Sequence, residues 1–585
     1  MTLSENLFLG FDLSTQQLKI ISTFTNLKHH STYRVDFDSE LGSKYGIKKG
    51  VISIEETGEI YAPVEMWVEA LDLCFTKMLE DGFPFDKVVG MSGSCQQHGS
   101  VYWSKEAPKI FESLNSNVSL KDQLCPNAFT FQTSPNWQDH STGPELEIFE
   151  ESVGGCHELA KITGSRAHYR FTGPQIRKLA TRVDPVKYEE TFRISLISSF
   201  LSSLLCTKIT NIEESDGCGM NLYDIENSKF DETLLSVAAG VHPKFDNVKD
   251  SALAAEKVNQ LKSKLGELEP VGSQSVGTIG NYFIEKYGFN SNCKIYSFTG
   301  DNLATILSLP LSNNDILISM GTSTTVLLVT DQYKPSENYH IFKHPTLDGH
   351  YMGMLCYCNG ALAREKIRDK LNLNEDLSKE DLKSWDKFNS ILDSSKPLND
   401  NSEIGIYFPI GEIIPNAKPC ERRFIYENEE LKELKNEEDL KKIGWGIEQD
   451  VNAIIESQAL SCRLRAGPML ESNNNDEVDG DVKFTENEEK LLQKLHKYSS
   501  VIKSDGTVQS DRALLARPNN VFFVGGSSKN YSIVNKYCSI LGATNGNYKI
   551  DLSDACALGG CYKSLWSFLK NEDSELEDYG TWLTK

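Results

Sequence analysis

The chain has 585 residues, a formal net charge of −23 at pH 7 and a hydrophobic share of 39%. This length exceeds the roughly 100–200 residues of one domain and predicts several domains or two large ones. The acidic balance argues against a nucleic-acid-binding protein, because such proteins use lysine and arginine to displace counterions. It does not argue against a small anionic ligand, since backbone amides bind phosphate whatever the net charge.

The N-terminus and the cysteines bear on the cellular compartment. Met1–Asn6 has no basic segment, and the apolar run Leu7–Leu9 is too short for a secretory signal. The most apolar segment, Ile194–Leu205, is too short to span a membrane and carries several serines, so we expect a buried helix. The 14 cysteines lack zinc-ligand spacing and a small disulfide framework. We therefore predict reduced thiols, a cytoplasmic location and no membrane segment.

Two hairpin patterns far apart in the chain resemble each other. Near the start, the apolar run Leu7–Leu13 leads into a polar turn with Ser14-Thr15 and a second apolar run. Downstream, Ile316–Met320 leads into a turn with Ser323-Thr324 and another apolar run. Each pattern predicts two strands joined by a tight turn. Alignment of Ser14 on Ser323 places the second copy 309 positions after the first.

A second pair of segments supports an internal duplication. Lys87–Ser94 and Val521–Ser528 are each an apolar strand that leads into a turn rich in glycine and serine. Two similar α/β halves explain both pairs economically. The alternative is that hydroxyl-rich hairpins recur by chance in a large α/β protein.

Three segments between these landmarks have patterns of their own. Gly446–Leu464 has apolar residues near helical spacing and predicts an amphipathic helix. Segment 427–442 is rich in Glu, Lys and Asn, and we expect a solvated surface element there. Segment 472–481 has no apolar periodicity, which favours an acidic loop.

The hairpin turns are candidates for phosphate binding, because turns that gather backbone amides and hydroxyls bind phosphate oxygens well. Asp12 stands at the end of the first strand. A carboxylate beside a phosphate needs a divalent cation between them, and Mg²⁺ is the usual mediator. Considered by itself, Asp12 is more simply interpreted as a turn-capping aspartate.

Asp301 and Asn302 follow an apolar strand within Lys294–Leu307 and precede a helical pattern. Open α/β sheets bind ligands at this carboxyl edge of the strands. Asp301 is either the N-cap of the helix or a general base that takes a hydroxyl proton from an alcohol attacking a phosphoryl group. Asp216, which precedes a glycine, is a rival for the role of base.

The segment Ser92–Ser100 follows another apolar strand and contains Gln96-Gln97-His98. Two amides and an imidazole offer donors and acceptors that suit polyol hydroxyls. A lone histidine is more often structural, but the neighbouring glutamines and the strand-end position favour ligand contact by His98.

Together these motifs resemble the FGGY carbohydrate kinases and, within that family, the eukaryotic, fungal-type xylulokinase branch. The resemblance rests on both hairpins and on the motifs Gly300-Asp301-Asn302 and Gly525-Gly526. Further matching segments follow in family order: 92–100, Trp137–Thr142, Ser165–Gly173, Ser215–Leu222 and Met354–Gly360. The matches run from Leu7 to about Leu569. Any single motif is weak, whereas their number and order make the set specific.

The resemblance implies an α/β fold of duplicated actin-like ATPase (ribonuclease H-like) domains that face each other across a central cleft. An N-terminal sugar-binding domain would span 1–310. A C-terminal nucleotide-binding domain would span 311–585, with surface insertions near 427–442 and 472–490. The implied reaction is ATP-dependent phosphorylation of D-xylulose to D-xylulose 5-phosphate, which feeds the pentose phosphate pathway, with Mg²⁺ as cofactor. A kinase for another polyol, such as ribulose or glycerol, and a non-catalytic sugar sensor or assembly protein on the same fold are the alternatives.

Carried over by position, the resemblance implies Asp301 as catalytic base and gives Asp216 a supporting role. The implied sugar contacts are His98, Arg170, Asp301 and Asn302, and Asp12 would lie near the metal. The implied nucleotide contacts are Ser14, Thr15, Thr322, Ser323, Trp385, Gly525, Gly526 and Asn530. One position departs from the family, because many members have glycine where this chain has Ser14, and serine restricts backbone angles that glycine allows.

Overall fold

In a computed structural model, the contacts between residues divide the chain into two units. The first comprises Met1–Leu311, Pro335–Met352 and Asp554–Lys585, and the second comprises Ser312–Lys334 and Gly353–Ser553. The structure describes residues 5–373, 381–395, 403–413, 415, 417–427, 430–470, 500–502, 508–510, 516–551 and 554–585. The domain boundary predicted after residue 310 lies next to the change of unit after Leu311. The segments 335–352 and 554–585, which the prediction gave to the C-terminal domain, belong to the first unit instead.

The first unit is organised around a seven-stranded sheet. Leu7–Leu13 and Gln17–Phe24 pair antiparallel, as predicted for the first hairpin, and Asp12 stands opposite Lys19. Val88–Cys95 pairs parallel with the first strand and places Ser94 beside Asp12. The strand order is Ser275–Thr278, Lys294–Tyr296, Val88–Cys95, Leu7–Leu13, Gln17–Phe24 and His29–Asp36, and Thr299–Gly300 also pairs with Val88–Cys95.

The strand Leu7–Leu13 is a continuous apolar run because both faces of the sheet are covered. On one face, Phe11 belongs to a core cluster that includes Trp67 of the helix Val64–Glu80. On the other face, Ile21 packs with Ala557 of the helix Ala555–Glu572. This second helix, called the C-terminal helix below, is the reason that the end of the chain belongs to the first unit.

The C-terminal helix approaches the sheet backbone at two glycines. A Cβ atom on Gly10 would lie 1.8 Å from the carbonyl oxygen of Ala557, and one on Gly560 would lie 2.8 Å from the Cα of Gly93. Residues with a Cβ do not tolerate contacts this short, so glycine is required for the helix to lie on the sheet at this distance.

The second unit repeats the central arrangement of the first. Ile316–Met320 and Thr324–Thr330 pair antiparallel, as predicted for the second hairpin. Asn520–Val524 pairs parallel with Ile316–Met320. The strands of this unit follow the order Tyr351–Tyr357, Thr324–Thr330, Ile316–Met320, Asn520–Val524 and Gly546–Lys549. A hairpin with a parallel third strand beside its first strand is common to both units, which confirms the internal duplication.

The register corrects the alignment of the two hairpins. The pair Leu13–Leu18 closes the first turn, and the pair Met320–Thr324 closes the second. The first turn residues are therefore Ser14 and Gly321, which are 307 rather than 309 positions apart. The alignment on Ser-Thr pairs was wrong because those pairs occupy different points of the two turns.

The other predicted segments are present where the structure describes them. A helix over Ile447–Leu470 begins one residue after the predicted start at Gly446 and continues six residues beyond the predicted end at Leu464. The apolar segment near 194–205 is buried, as the end of the strand Arg193–Leu196 and the helix Ile197–Cys206. In the surface element, Glu437–Ile443 is a helix without buried residues. The predicted loop 472–481 and insertion near 472–490 lie outside the described residues.

The remaining helices and strands complete the two units. Further helices of the first unit are Phe37–Glu40, Gly42–Tyr45, Ala107–Glu112, Leu120–Leu124, Gly143–Val153, Cys156–Thr163, Thr172–Lys178, Pro185–Glu189, Glu214–Gly217, Glu232–Ala238, Ser251–Leu265, Asn281–Tyr287, Asp301–Ile306 and Tyr579–Leu583. Its further strands are Ile52–Ile54, Glu59–Pro63, Ser100–Trp103, Thr133–Pro135, Ile212–Glu213, Tyr223–Asp224, Lys229–Phe230, Leu268–Glu269 and His340–Lys343. The second unit adds the helices Ala361–Asn372, Asp386–Ser394 and Tyr531–Leu541 and the strands Glu403–Phe408, Cys420–Glu427, Glu430–Leu434, Ser500–Ile502 and Val508–Ser510.

Two predictions about the whole chain can be compared with the structure. Within the described residues, no helix combines the length and the apolar character needed to cross a membrane. Every cysteine of the chain lies in the described part and is free of disulfide bonds, as predicted.

Candidate active site

Asp301 is the first residue of the short helix Asp301–Ile306, which follows the strand end Thr299–Gly300. Gly300 occupies the N-cap position, so the N-cap interpretation of Asp301 is wrong. Oδ1 of Asp301 accepts hydrogen bonds from the backbone N (2.8 Å) and from Nδ2 (3.1 Å) of Asn302. Oδ2 accepts none from the residues that the structure describes. One carboxylate oxygen is thus held and the other is left to accept a proton.

The environment of Asp301 matches the requirements of a general base. Burial raises the pKa of Asp301 to about 7, against the lowering effect of the hydrogen bond from the Asn302 amide. The charge of Asp12 raises this pKa further, and the charge of Arg170 lowers it. A base with a pKa near the working pH combines a large ionised fraction with high proton affinity.

Gln97 connects Asn302 to a second buried carboxylate, Asp216. Its Oε1 accepts a hydrogen bond from Asn302 Nδ2 at 3.2 Å, and its Nε2 lies 3.5 Å from Asp216 Oδ1. Ser198 Oγ donates to the other oxygen of Asp216 at 2.6 Å. Burial raises the pKa of Asp216 to about 7. Asp216 is thus linked to Asp301 by hydrogen bonds through Gln97 and Asn302, and the charge of Asp301 also raises the pKa of Asp216.

His98 is held in an unusual conformation beside this group. Its φ of 72° lies in the left-handed region, which costs a residue other than glycine about 1–3 kcal/mol. Its Nδ1 lies 3.1 Å from the carbonyl oxygen of Gly219, which only accepts, so Nδ1 carries the hydrogen. Burial, with the charge of Arg170 adding to it, holds the pKa of His98 well below its ordinary value. The neutral ring then has Nε2 available as an acceptor.

Arg170 lies close enough to this group for its charge to act on both His98 and Asp301. Its Nη2 is 3.4 Å from Nε2 of His340, a residue of the segment 335–352 that joins the first unit. The structure thus brings together the four predicted sugar contacts. Neither Gln97 nor His340 was predicted from the sequence as an individual site residue. Gln97 could have been predicted because it adjoins His98 in the sequence, whereas no sequence pattern marks His340.

Asp12 lies in the same unit, at the end of its strand. Ser94 Oγ donates to its Oδ1 at 3.3 Å. Burial raises the pKa of Asp12 to about 6, and the charge of Lys19 opposes this rise. Lys19 itself pairs with Asp554 at 2.7 Å, and Asp12 makes no ion pair with any described residue.

The first turn is closed without Asp12. Both the backbone N and the Oγ of Ser14 donate to the carbonyl oxygen of Gln17, at 3.0 and 3.1 Å. The interpretation of Asp12 as a turn-capping residue is therefore wrong. Among the described residues, neither Ser14 nor its counterpart Gly321 has a positive φ. Serine consequently fits the turn without strain, and the departure from the family pattern leaves the turn geometry intact.

Thr15 joins the first turn to two of the motifs that carry the family resemblance. Its Oγ1 donates to Gln96 Oε1 at 3.3 Å and accepts from Trp137 Nε1 at 2.9 Å. Gln96 Oε1 also accepts from Asn136 Nδ2 at 2.6 Å. These contacts fix the turn relative to the segment that contains Gln97 and His98.

A cavity of about 850 Å³ in the second unit, called the Gly-Gly cavity below, brings together four other predicted residues. Thr322, Trp385, Gly526 and Asn530 line it. Its further lining residues are Met320, Gly321, Ala361, Glu365, Asn389, Ser527, Lys529, Tyr531, Ser532 and Ile533. Two further predicted nucleotide contacts of this unit, Ser323 and Gly525, are sequence neighbours of lining residues. Ser323 follows Thr322 in the exposed turn, and Gly525, with a φ of 89°, precedes Gly526.

Two residues of the Gly-Gly cavity are fixed by their neighbours. The guanidinium of Arg368 stacks over the ring of Trp385, 4.6 Å from its centroid. Asn530 caps the helix Tyr531–Leu541, because its side chain accepts from Ile533 N, and its Nδ2 donates to Asn389 at 2.8 Å. An aromatic ring can stack on the base of a nucleotide, and backbone amides at a helix start and in a glycine turn can bind its phosphates.

Comparison with known proteins now places this arrangement in a family. Residues 316–567 match the model of the FGGY family of carbohydrate kinases, C-terminal domain. A xylulose kinase of Saccharomyces cerevisiae is 46% identical over 579 residues, covering 97% of this chain and 88% of that protein. A probable D-xylulose kinase A of Neosartorya fischeri is 41% identical, covering 99% of this chain and 91% of that protein.

Solved structures support the fold. A xylulose kinase from Bifidobacterium adolescentis superposes with a TM-score of 0.67 at 16% identity, over 96% of this chain and 93% of that one. A Plasmodium falciparum glycerol kinase with ADP gives 0.62 at 13% identity, over 98% of this chain and 91% of that one. Both carry the duplicated, actin-like α/β architecture that the sequence predicts. From the relatives that match along nearly its whole length, the chain belongs to the FGGY family of carbohydrate kinases, in the branch of the fungal xylulose kinases.

Proposed function

We propose that this protein transfers the γ-phosphoryl group of ATP to the O5 hydroxyl of D-xylulose, giving D-xylulose 5-phosphate and ADP. Relatives that are xylulose kinases support the substrate class, and the geometry at Asp301 supports the chemistry. The single observation that carries the proposal is a carboxylate with one oxygen held by Asn302 and the other unbound, at a pKa of about 7.

In this proposal the first unit binds the sugar and the second binds the nucleotide. The sugar site is formed by His98, Arg170, Asp301 and Asn302. In that order, these residues supply a hydrogen-bond acceptor, a cation, a general base and a side-chain amide. Trp385, Gly525, Gly526 and Asn530 surround the nucleoside in the Gly-Gly cavity. The turns at Ser14-Thr15 and Thr322-Ser323 supply hydroxyls and amides for phosphate oxygens.

Asp301 accepts the proton of the attacking hydroxyl on Oδ2 while the bond from the γ-phosphorus of ATP to the sugar oxygen forms, the bond to its bridging oxygen breaks, and ADP leaves. Asn302 holds Oδ1, so the carboxylate keeps one orientation throughout. Negative charge spreads over the phosphoryl oxygens in the transition state. Donors positioned in advance, as in the two turns, stabilise such charge without reorganisation.

The donor set also fits Mg²⁺. Among the described residues there is no cluster of three or more His, Cys, Asp or Glu side chains that would hold a metal by itself. Asp12 is a carboxylate without an ion-pair partner, and Mg²⁺ is commonly bound by one or two carboxylates with phosphate and water completing its shell. We infer that Asp12 helps to hold Mg²⁺, which when bound neutralises charge on the phosphates.

We further infer a cytoplasmic enzyme, since its cysteines are free and ATP is a substrate. The test of the function is release of ADP by the purified protein in the presence of D-xylulose, D-ribulose, L-ribulose and glycerol, each over a range of concentrations. We expect the highest kcat/KM with D-xylulose. A higher value with another polyol would reassign the substrate, and an absence of ADP with all four would overturn the proposal.

A further inference from the structure

Arg364 is a charged residue in the interior of the second unit. It lies on the helix Ala361–Asn372 and is 0% exposed. Among the described residues its Nε has no hydrogen-bond partner and no carboxylate lies within ion-pair distance of its guanidinium, while the charge of Glu365, the next residue on the helix and one that lines the Gly-Gly cavity, acts on it from farther away. Burial lowers the pKa of Arg364, yet a guanidinium stays protonated in proteins. A buried charge without a counterion is costly, so its presence calls for an explanation.

The two terminal nitrogens of Arg364 connect different parts of the unit. Nη2 donates to Ser527 Oγ at 3.1 Å, and Nη1 donates to Gln458 Oε1 at 2.8 Å. Gln458 lies on the helix Ile447–Leu470, and its Nε2 donates to the carbonyl oxygen of Asn359 at 2.8 Å. One cation therefore ties the Gly525–Ser527 turn to the residues that precede its own helix.

Both connected segments border the Gly-Gly cavity. Ser527 lines it directly. On the other side, the backbone N of Gly360 donates to the carbonyl oxygen of Thr322 at 3.1 Å, and that of Ala361 donates to Gly321 at 3.0 Å. Thr322 and Ala361 also line the cavity. Arg364 thus contacts the Gly525–Ser527 turn and is linked through Gln458 to the residues bonded to the Thr322-Ser323 turn, and both turns border the cavity.

A neutral side chain could make the same hydrogen bonds, so tethering alone does not account for a charge at this position. A cation in contact with a turn of the nucleotide cavity is accounted for if the ligand supplies the missing negative charge. We propose that Arg364 is a positioning residue of the nucleotide site, and that its unpaired charge makes the site select ligands that carry phosphate. This inference rests on the proposed function, because it takes the Gly-Gly cavity as the nucleotide site.

The experiment compares binding of ADP and adenosine, measured by calorimetry on the full chain without Mg²⁺. Arg364→Gln keeps a hydrogen-bond donor and removes the charge, whereas Arg364→Lys keeps the charge. Arg463→Gln is the matched control, because Arg463 is also buried in this unit but donates to the carbonyl oxygen of Ile540, which does not line the cavity, whereas Arg364 donates to the lining residue Ser527.

We expect R364Q to weaken ADP binding by about 10- to 100-fold, as for the loss of one charged hydrogen-bond partner, and to change adenosine binding by no more than about twofold. R364K should retain most of the preference for ADP, and R463Q should retain all of it. Equal weakening of both ligands by R364Q would show a purely structural role and overturn the proposal, as would unchanged binding of both.

If R364Q does not fold, the test rests on R364K alone. Loss of the preference for ADP in this variant, which keeps the charge, contradicts the proposal. Failure of wild-type protein to bind ADP also overturns it. The proposed function is tested separately by sugar-dependent ADP release, so a protein that binds ADP as expected but phosphorylates a different polyol would contradict only the sugar assignment.

Discussion

Arg170 donates to His340 across 170 positions of sequence, with its Nη2 3.4 Å from the Nε2 of the imidazole. Arginine only donates, so Nε2 of His340 is an acceptor and its Nδ1 carries the hydrogen, which is given to Ser165 Oγ at 2.8 Å. Burial holds the pKa of His340 well below its ordinary value, and the charge of Arg170 lowers it further. A neutral imidazole thus holds Arg170, the cation of the proposed sugar site.

Replacement of His340 tests this contact. His340→Ala should raise the KM for D-xylulose by about tenfold, because Arg170 loses one acceptor, while kcat changes little. His340→Gln places an amide oxygen near the position of Nε2 and should recover most of the affinity. Steady-state kinetics with varied sugar at saturating ATP measures both constants. Equal sugar KM values for wild type and H340A would contradict the positioning of Arg170 by His340.

Replacement of Asp301 tests the base. Asp301→Asn should lower kcat by about 10²- to 10⁴-fold, the usual contribution of general-base catalysis, and leave sugar binding measurable by calorimetry. Asp86→Asn, at an exposed position of the same unit, is the control and should behave as wild type. Turnover of D301N within about threefold of wild type would exclude Asp301 as the base.

The pH dependence of the reaction follows from the same group. Since the pKa of Asp301 is raised to about 7, the carboxylate becomes protonated as the pH falls through this value, and a protonated base cannot accept the hydroxyl proton. We expect kcat/KM for D-xylulose to fall about tenfold per pH unit well below that midpoint. Circular dichroism at each pH controls for unfolding. A flat profile between about pH 5.5 and 8 would rule out Asp301 as the titrating base.

Asp216 should lower stability at high pH. Its pKa rises from an ordinary 3.8 to about 7 in the folded state, so the native protein holds a proton that the unfolded chain releases between these values. Stability therefore falls as the pH rises through this window. Asp216→Asn cannot ionise and should increase the free energy of unfolding at about pH 8 by roughly 2–4 kcal/mol, with little gain near pH 4.

Urea denaturation at the two pH values measures this difference, with Asp86→Asn as the exposed control. A gain that is the same at both pH values would show that the carboxylate charge is not its cause. The catalytic consequence of D216N should be smaller than that of D301N, because the hydrogen bonds from Asp216 to the base run through Gln97 and Asn302.

The close contact of Gly10 with the C-terminal helix predicts a packing defect. In Gly10→Ala, the new methyl group would meet the carbonyl oxygen of Ala557, and the helix would have to move away from the sheet. We expect a loss of about 3 kcal/mol or more in the free energy of unfolding. Gly143→Ala is the control, since its nearest contact would be 3.7 Å. Similar melting temperatures for both variants would contradict the packing described here.

The hairpins, the strands Val88–Cys95 and Asn520–Val524 and most of the long helix Ile447–Leu470 were predictable because each has a strong local pattern, whereas the parallel pairing of those strands with the hairpins was not. The position of Asp301 after its strand was predictable for the same reason. The return of residues 554–585 to the first unit was not, since periodicity indicates a helix but not what it packs on. His340 was also beyond prediction, because its partners Ser165 and Arg170 are far away in sequence and the ring has no local motif. The residues around the Gly-Gly cavity came from family resemblance, as Trp385 and Gly526 share no local pattern.

The C-terminal helix also determines when the first unit can form during synthesis. Ala557 and Cys561 are buried against Ile21, near the other end of the chain, so the ribosome must translate the C-terminal helix before that face of the sheet is covered. Until then this apolar face of the first hairpin is uncovered, and the nascent chain exposes it to chaperones and to other chains. Premature termination anywhere before residue 554 would therefore damage the half of the protein that had been translated first.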